Sequence, residues 1–315
     1  RDRTHNTSTG RSNGTLKPHH RRILPHLALA FAVLAVASAC TTTRWPAIVH
    51  EATDTHTPGR WVWMEMVTED PVKARDFYGQ VFGWTFEDFE QGEQTYVLIR
   101  SGDRPVGGIL QRHKEPEADR SAQWIGMLSV PDVEQATAHA ADAGATTLIP
   151  PGKLRGRGTV AVLSDPEGAL FAIIHTDAGD PADSFPPVNT WLWMELWARD
   201  AAGMSAFYED IGGYTVTRPA QQARRGDRPE YHLVADGYAR AGIVEMKRQD
   251  LPSAWLPYVR VADLRQTLDR VRSAGGDVLI EPDPDIRAGR IAVIVDPQGA
   301  AFGIAEWHEE QRSER

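Results

Sequence analysis

The sequence predicts an α+β protein built from four β-α-β-β-β modules in two similar halves. The first observation is a repeat, because the motif Trp-x-Trp-Met-Glu stands at residues 61–65 and returns at 191–195, a shift of 130 residues. The second is that a shift of 131 carries Asp-Pro-x-Gly-Ala from 165–169 to 296–300. A shift held within one residue over about a hundred positions is typical of a duplicated domain. The length of 315 residues also suits two domains.

Composition and charge exclude several classes of protein. The hydrophobic share of 41% and the charged share of 24% are those of a globular protein. The net charge is −9, and without the first 39 residues it becomes −14, from 28 Lys+Arg against 42 Asp+Glu. Such a charge argues against nucleic acid or an anionic membrane surface as a partner. The single cysteine, Cys40, excludes an intramolecular disulfide and a multi-cysteine metal site.

The N-terminal region has the pattern of a secretory signal. A basic block precedes an apolar run of eleven residues, Leu27–Ala37, which is too short to span a membrane and ends in small residues before Cys40. Small residues followed directly by a cysteine resemble a bacterial lipobox, which implies cleavage before Cys40 and a diacylglyceryl group on its thiol. The alternative is an ordinary signal peptide with an incidental cysteine. The lipoprotein reading predicts a membrane-anchored protein of the bacterial cell envelope, on the outer membrane and facing the periplasm if the cell is Gram-negative.

Each module opens with a strand that leads into a capped helix. Residues 61–67 alternate bulky and polar side chains, Asp70 is the expected N-cap before Pro71, and Gly83 is expected to end the helix. Further strands are predicted at 95–100, 105–111, 123–130, 159–163 and 169–174 in the first half, and at 191–198, 231–235, 241–246, 255–261, 291–295 and 301–305 in the second. The predicted segments are a signal peptide (1–39), a lipidated cysteine and tether (40–57), a first domain (58–175), a Pro- and Asp-rich linker (176–189), a second domain (190–308) and a tail (309–315).

The doubled Asp…Phe-Tyr and Asp-Pro-x-Gly-Ala elements resemble those of the vicinal oxygen chelate superfamily, which includes glyoxalase I, bleomycin-resistance proteins and extradiol dioxygenases. The resemblance covers about residues 60 to 308 and is nearest to two-domain proteins described as glyoxalase-like or hydroxylase-like. It implies that paired modules curl into two half-open barrels, each around a cavity. It does not specify an activity.

The resemblance also implies where a metal ion would be held, and the residues there are not ligands. Those positions carry Trp63, Ile125 or Trp124, and Ala172 in the first domain, and Trp193, Leu256 or Trp255, and Gly303 in the second. Because a divalent cation needs several protein donors, the sequence predicts no metal site and no cofactor. His175, Glu306 and His308 are interpreted as surface residues.

Two acidic residues stand out on the first strands of the two domains. Since strand side chains alternate between faces, Trp61, Trp63 and Glu65 are expected to share one face, and Trp191, Trp193 and Glu195 likewise. Each glutamate is interpreted as a structural acid paired with an arginine such as Arg100 or Arg155, as a ligand contact, or as a general base. The tryptophans are either core residues or a stacking surface for a flat ligand. The basic loop 155–158 is either a gate or a solvated hairpin.

The leading hypothesis is a lipid-anchored, metal-free protein, monomeric or homodimeric, that binds a small aromatic molecule. The predicted ligand-binding residues are Trp61, Trp63, Glu65, Trp124, Trp191, Trp193, Glu195 and Trp255. The alternatives are a lyase, isomerase or dioxygenase with a non-standard site around Glu65 or Glu195, and a purely structural envelope lipoprotein.

Overall fold

The fold was determined as a computed structural model, which describes residues 44–49, 51–91, 94–112, 122–219, 230–246 and 251–308. The predicted signal segment, Cys40 and the tail from 309 lie outside these residues. In the first half the elements are β1 (Trp61–Thr68), α1 (Pro71–Phe82), β2 (Thr85–Gln91), β3 (Gln94–Ser101), β4 (Arg104–Gln111), β5 (Ala122–Ser129), α2 (Val133–Asp142), β6 (Thr146–Leu154), β7 (Gly158–Ser164) and β8 (Leu170–Thr176).

The second half repeats this order. Its elements are β9 (Trp191–Ala198), α3 (Ala201–Gly212), β10 (Thr215–Thr217), β11 (Glu230–Ala235), β12 (Tyr238–Glu245), β13 (Ala254–Val261), α4 (Leu264–Ser273), β14 (Asp277–Ile280), a 3₁₀ turn (Arg287–Gly289), β15 (Ile291–Val295) and β16 (Ala301–Glu306). No helix in the described part of the chain combines the length and apolarity that a membrane span requires.

Each half forms one eight-stranded mixed sheet from the described residues. The strand order is β2-β3-β4-β1-β5-β8-β7-β6 in the first sheet and β10-β11-β12-β9-β13-β16-β15-β14 in the second. The opening strands of the two modules lie antiparallel at the centre of each sheet, and each pairs in parallel with the last strand of its own module. This arrangement confirms the predicted fold of four modules paired into two half-open barrels.

The helices begin and end where the sequence indicated. Asp70 accepts a hydrogen bond from the Lys73 backbone N–H at the start of α1, and Pro71 is the first helical residue. Gly83 ends the helix with a φ of 68°, in the left-handed region that glycine adopts without steric cost. Asp132, Asp200 and Asp263 cap α2, α3 and α4 in the same way. Each opening strand therefore leads into a helix that begins at a capping aspartate.

The repeated motifs lock the two halves together. The Tyr78 hydroxyl of α1 donates to Asp296 of the second half (3.1 Å) and accepts from Trp124 Nε1 (2.8 Å). A reciprocal set runs the other way: the Tyr208 hydroxyl donates to Asp165 (3.0 Å) and accepts from Trp255 Nε1 (2.7 Å). Burial raises the pKa of Asp165 to about 6, although the backbone N–H of Ala169 and the Tyr208 hydroxyl oppose the shift. The Asp-Pro-x-Gly turns therefore serve the interface between the halves.

The variable residue of each turn also crosses the interface. Gln298 accepts from the Thr68 hydroxyl (2.8 Å) and donates to the Asp70 carbonyl (3.1 Å), at the junction of β1 and α1. Glu167 accepts from the backbone N–H groups of Arg199 and Asp200, both at 2.7 Å, at the junction of β9 and α3. Each half thus holds the strand-to-helix junction of the other.

Residues 44–49 and 51–57, predicted as part of a tether, pack on the first domain instead. Ile48 is buried, and the Trp45 backbone N–H donates to the Arg155 carbonyl (2.9 Å). The Thr57 backbone N–H donates to Asp180 (2.7 Å), a buried residue of the segment between the two sheets. The described part of the predicted tether, 40–57, therefore contacts the first domain. Its apolar residues, Trp45 and Ile48, pack against the apolar cluster inside the first domain.

Candidate functional site

The two predicted glutamates occupy equivalent places inside the two barrels. Glu65 lies on β1 between Gly108 of β4 and Ile125 of β5, and Glu195 lies on β9 between Gly242 of β12 and Leu256 of β13. Both are buried, with exposed fractions of 3% and 6%. A buried carboxylate requires partners, since its desolvation is costly.

In the first barrel, three donors converge on one oxygen of Glu65. Its Oε2 accepts from Trp63 Nε1 (2.9 Å), from the Tyr96 hydroxyl (3.3 Å) and from Arg157 Nη1 (3.2 Å). Burial raises the pKa of Glu65, and the charge of Arg157 opposes the rise. Gly108 makes room for the Tyr96 hydroxyl beside Glu65, because a Cβ at position 108 would lie 1.7 Å from that hydroxyl. The partner of Glu65 is therefore Arg157, not Arg100 or Arg155.

Arg157 is itself enclosed by rings and by the N-terminal segment. Its guanidinium carbon lies 5.3 Å, 5.4 Å and 4.6 Å from the ring centroids of Trp45, Trp63 and Tyr96. Its Nε donates to the Pro46 carbonyl (3.1 Å), and its side chain is 1% exposed. Residues 44–49, which we call the N-terminal strap, thus close the first barrel over the Glu65–Arg157 pair. Residues 155–158 form the turn of the hairpin between β6 and β7, in which Arg155 is exposed but Arg157 points inward.

The second barrel holds a similar but more open centre. Glu195 Oε1 accepts from Trp197 Nε1 (3.0 Å) and from the Tyr258 hydroxyl (3.1 Å), and its Oε2 lies 3.3 Å from Arg287 Nη2. The same Arg287 nitrogen contacts Glu230 Oε1 at 3.3 Å. Burial acts to lower the pKa of Arg287, but Glu195 and Glu230 raise it overall. The Arg287 side chain is 27% exposed, whereas that of Arg157 is 1% exposed.

The two centres use the same chemistry with different residues. Each glutamate has one indole, one phenol and one arginine, and each arginine follows its glutamate by 92 residues. The indole comes from two positions before Glu65 but from two positions after Glu195. Gly303 provides the space for Tyr258 in the second barrel, because a Cβ there would lie 2.1 Å from that ring. The glutamate and the arginine therefore keep one spacing in both centres, whereas the indole and the phenol come from different positions.

The predicted tryptophans divide into two groups. The register between β1 and β5 shifts between Trp61 and Trp63, and the register between β9 and β13 shifts between Trp191 and Trp193. The prediction that the two tryptophans of each strand share a face is therefore wrong. Trp63 and Trp193 lie inside the barrels with the glutamates. The other four lie on the opposite face, where the halves meet; Trp61 contacts Trp255 at 4.5 Å, and Trp191 contacts Trp124 at 4.9 Å.

The positions that the superfamily would use for a metal do not fit one. Trp63, Ile125 and Ala172 form part of an apolar cluster in the first barrel, and Trp193 and Leu256 do so in the second. No three His, Cys, Asp or Glu side chains in the described ranges could hold a metal ion together. The histidine and glutamate near these positions make other contacts. His175 Nδ1 lies 3.1 Å from the Val130 carbonyl oxygen, and Glu306 accepts a hydrogen bond from the Leu264 backbone N–H (3.1 Å).

Comparisons with known proteins agree with this architecture. Residues 61–174 match the model of the glyoxalase-like domain. A Mycobacterium tuberculosis protein with the provisional name of glyoxylase is 26% identical over 245 residues, covering 77% of this chain and 92% of its own. An anthracycline biosynthesis protein of Streptomyces peucetius is 26% identical over 268 residues, covering 80% and 94%.

Solved structures share the fold at low identity. The Mn(II)-bound glyoxalase of Novosphingobium aromaticivorans superposes with a TM-score of 0.55 at 15% identity, covering 79% of this chain and 82% of that one. A homoprotocatechuate 2,3-dioxygenase variant from B. fuscum gives a TM-score of 0.54 at 16% identity, covering 84% and 74%. These likenesses extend over both halves of the chain.

Proposed function

We propose that this chain, which has the fold of the vicinal oxygen chelate superfamily and a glyoxalase-like domain at residues 61–174, binds a small, flat aromatic molecule in its second barrel, without the metal ion that many members of that superfamily use. The observation that carries the proposal is the difference between the two barrels. Both contain a Glu–Arg pair, but the first is covered by the chain's own Trp45 and Pro46. Among the described residues no ring stacks on Arg287, which is partly exposed.

The N-terminal strap indicates what an occupant of the second barrel should contain. Trp45 places a flat ring against the guanidinium of Arg157 and meets the Tyr96 ring edge to face at 5.1 Å. The Pro46 carbonyl accepts a hydrogen bond from the same guanidinium. An aromatic molecule with a carbonyl or hydroxyl oxygen would give Arg287 the same two contacts, a cation–π stack and a charge-assisted hydrogen bond.

The charges of the second barrel favour a neutral ligand. Glu195 and Glu230 both contact Arg287, so two carboxylates face one guanidinium. An anionic ligand would be repelled, whereas phenolic hydroxyl groups could donate to the carboxylates. The name of the Streptomyces relative supports this class, since anthracyclines are hydroxylated polycyclic aromatic molecules.

An alternative function is catalysis by a lyase, isomerase or dioxygenase with a non-standard site. The observation that favours it is the Glu195 carboxylate beside the Tyr258 hydroxyl, whose pKa is raised by burial and then by Glu195. Such a carboxylate could act as a general base toward a ligand held at Arg287. Conversion of a bound molecule, or a full equivalent of metal in the purified protein, would favour this alternative over simple binding.

The binding proposal predicts that Arg287→Gln weakens the affinity for the dihydroxyanthraquinone alizarin, measured at a pH low enough to keep its hydroxyl groups un-ionised. Loss of a hydrogen bond to a charged group costs about 1.5–3 kcal/mol, which corresponds to roughly a 10- to 100-fold weaker Kd. Quenching of tryptophan fluorescence measures the affinity. The matched control is Arg265→Gln on the exposed side of α4, which should bind alizarin as the unmodified protein does. Equal affinity in both variants would contradict a site at Arg287.

We further infer that the protein is attached to a bacterial membrane through Cys40, on the evidence of the signal pattern alone. The prediction is that Cys40→Ser moves the protein from the membrane fraction to the soluble fraction, because the thiol that accepts the diacylglyceryl group is lost. Fractionation of cells, with mass spectrometry of the N-terminal peptide, measures this. A Cys40→Ser protein that stays with the membrane would show that another part of the chain anchors it.

A further inference from the structure

A cavity lies where the two halves and the connecting segment meet. Its volume is about 260 Å³, and it is lined by β1, β9, the turn between β11 and β12, and residues 183–186. We call it the interdomain cleft. Small-molecule pockets commonly measure roughly 300–1,000 Å³, so this cleft is suited to a molecule of one or two rings.

The walls of the interdomain cleft are aromatic. Trp61 and Trp191 come from the opening strands of the two halves, and Phe185 comes from the connecting segment. The strand register shift that turns Trp61 and Trp191 out of the barrels is what brings their rings to this cleft. Indole and phenyl faces at one site favour a flat ligand over a branched one.

Two arginines give the interdomain cleft a positive charge. Arg60 and Arg240 both approach Asp183, with Nε to Oδ1 at 3.7 Å and Nη1 to Oδ2 at 2.9 Å. Their side chains are 14% and 9% exposed, whereas that of Asp183 is 35% exposed. Burial lowers the pKa of Arg60, with Asp183 raising and Arg240 lowering it in turn. Arg60 also donates to the Pro181 carbonyl (2.6 Å), and Arg240 donates to the Ala235 carbonyl (3.2 Å) and approaches Asp236 (3.9 Å), which does not line the cleft. Among the described charged side chains that line the cleft, two guanidinium groups therefore face the one carboxylate of Asp183.

We propose that the interdomain cleft binds a small aromatic carboxylate. Its ring would lie against Trp61 and Trp191, and its carboxylate would pair with Arg60 and Arg240 beside Asp183 or in its place. The charge balance is opposite to that of the second barrel, where two carboxylates face Arg287. The two sites therefore select different classes of aromatic molecule, anionic in the cleft and neutral in the barrel.

The test is calorimetric titration of the purified protein with 2-naphthoate and with its neutral analogue 2-naphthamide. We expect 2-naphthoate to bind at least tenfold more tightly than the amide. Arg240→Gln should weaken 2-naphthoate binding at least tenfold, whereas Asp183→Asn should strengthen it, because the competing carboxylate is removed. A general folding defect would weaken binding in both variants, so opposite signs identify the site.

Other variants separate this site from the barrel. Arg265→Gln should leave 2-naphthoate binding unchanged, and Arg287→Gln should leave it unchanged while weakening alizarin. Equal affinity for naphthoate and naphthamide, or naphthoate binding that Arg287→Gln abolishes and Arg240→Gln does not change, would overturn the proposal. Alizarin binding in the second barrel is recognised by its response to Arg287→Gln, and naphthoate binding in the cleft by its response to Arg240→Gln. The failure of one site is therefore distinguishable from the failure of the other.

Discussion

Replacing Arg157 with methionine is expected to destabilise the protein by about 3–5 kcal/mol at neutral pH, because removal of one partner of a buried ion pair leaves the other charge uncompensated. Arg157 is 1% exposed, and it contacts Glu65, three aromatic rings and the Pro46 carbonyl. Methionine keeps the apolar stem but cannot donate to the carboxylate. The measurement is the free energy of unfolding from urea denaturation.

The pH dependence of the loss of stability in Arg157→Met tests whether the uncompensated Glu65 carboxylate causes it. The pKa of Glu65 is already raised by burial, and Arg157 opposes the rise. Removing Arg157 should therefore raise the folded-state pKa further above the unfolded value of about 4.3. The contribution of the protonated Glu65 carboxyl to the free energy of unfolding is then fully present below the unfolded pKa. It is lost as the pH rises through the folded-state pKa. Arg157→Met should be closer to the unmodified protein at pH 5 than at pH 8, and a second change, Glu65→Gln, should recover much of the loss at pH 8. An equal deficit at both pH values would show that Glu65 is not responsible.

The second large effect is expected at the interface between the halves, where Asp165 should favour the folded state more at pH 4 than at pH 7. Its pKa is about 6 when folded, compared with an ordinary 3.8. Because the folded pKa is the higher one, this contribution is present below pH 3.8 and is lost as pH rises through 6. About two pKa units correspond to roughly 3 kcal/mol. Asparagine does not titrate, so the stability of Asp165→Asn relative to the unmodified protein should improve by about 2.3 kcal/mol between pH 4 and pH 7, most of that total.

Unfolding in urea at several pH values measures the difference. Asp269→Asn, on the exposed side of α4, is the matched control and should run parallel to the unmodified protein. A constant difference between Asp165→Asn and the unmodified protein across this range would show that the Asp165 carboxyl titrates alike in the folded and unfolded chains.

The sequence predicted the fold well because the fold depends on local signals that occur twice. Capping aspartates, glycines at helix ends and the Asp-Pro-x-Gly turns each specify a geometry in a few residues. The edge strands were missed for an equally local reason. Residues 85–91 lack the apolar alternation of a half-buried strand. Strand β6 contains Pro150 and Pro151, which an edge strand tolerates because its register is already broken between Ile149 and Gly152.

The candidate site was predicted only in part. Strand alternation placed Glu65 and Trp63 in the barrel correctly but failed at Trp61, because one extra residue in a strand reverses the face of everything before it. Arg157 was read as part of a basic loop, and Arg287 was not singled out. A signal was present: the shift of 130 that carries Glu65 to Glu195 also carries Arg157 to Arg287. It was hidden because the strands after these arginines align at 131.

The interface between the halves has a further consequence for the history of the chain. Tyr78 and Asp165 belong to the same half, yet each finds its partner in the other one. Two copies of one half, related by a two-fold axis, could therefore make both contacts, so the surface is self-complementary. Fusion of two such copies removes the requirement that they remain identical. One barrel could then acquire a permanent cover of its own chain while the other stayed accessible, a divergence that a symmetric ancestor could not have undergone.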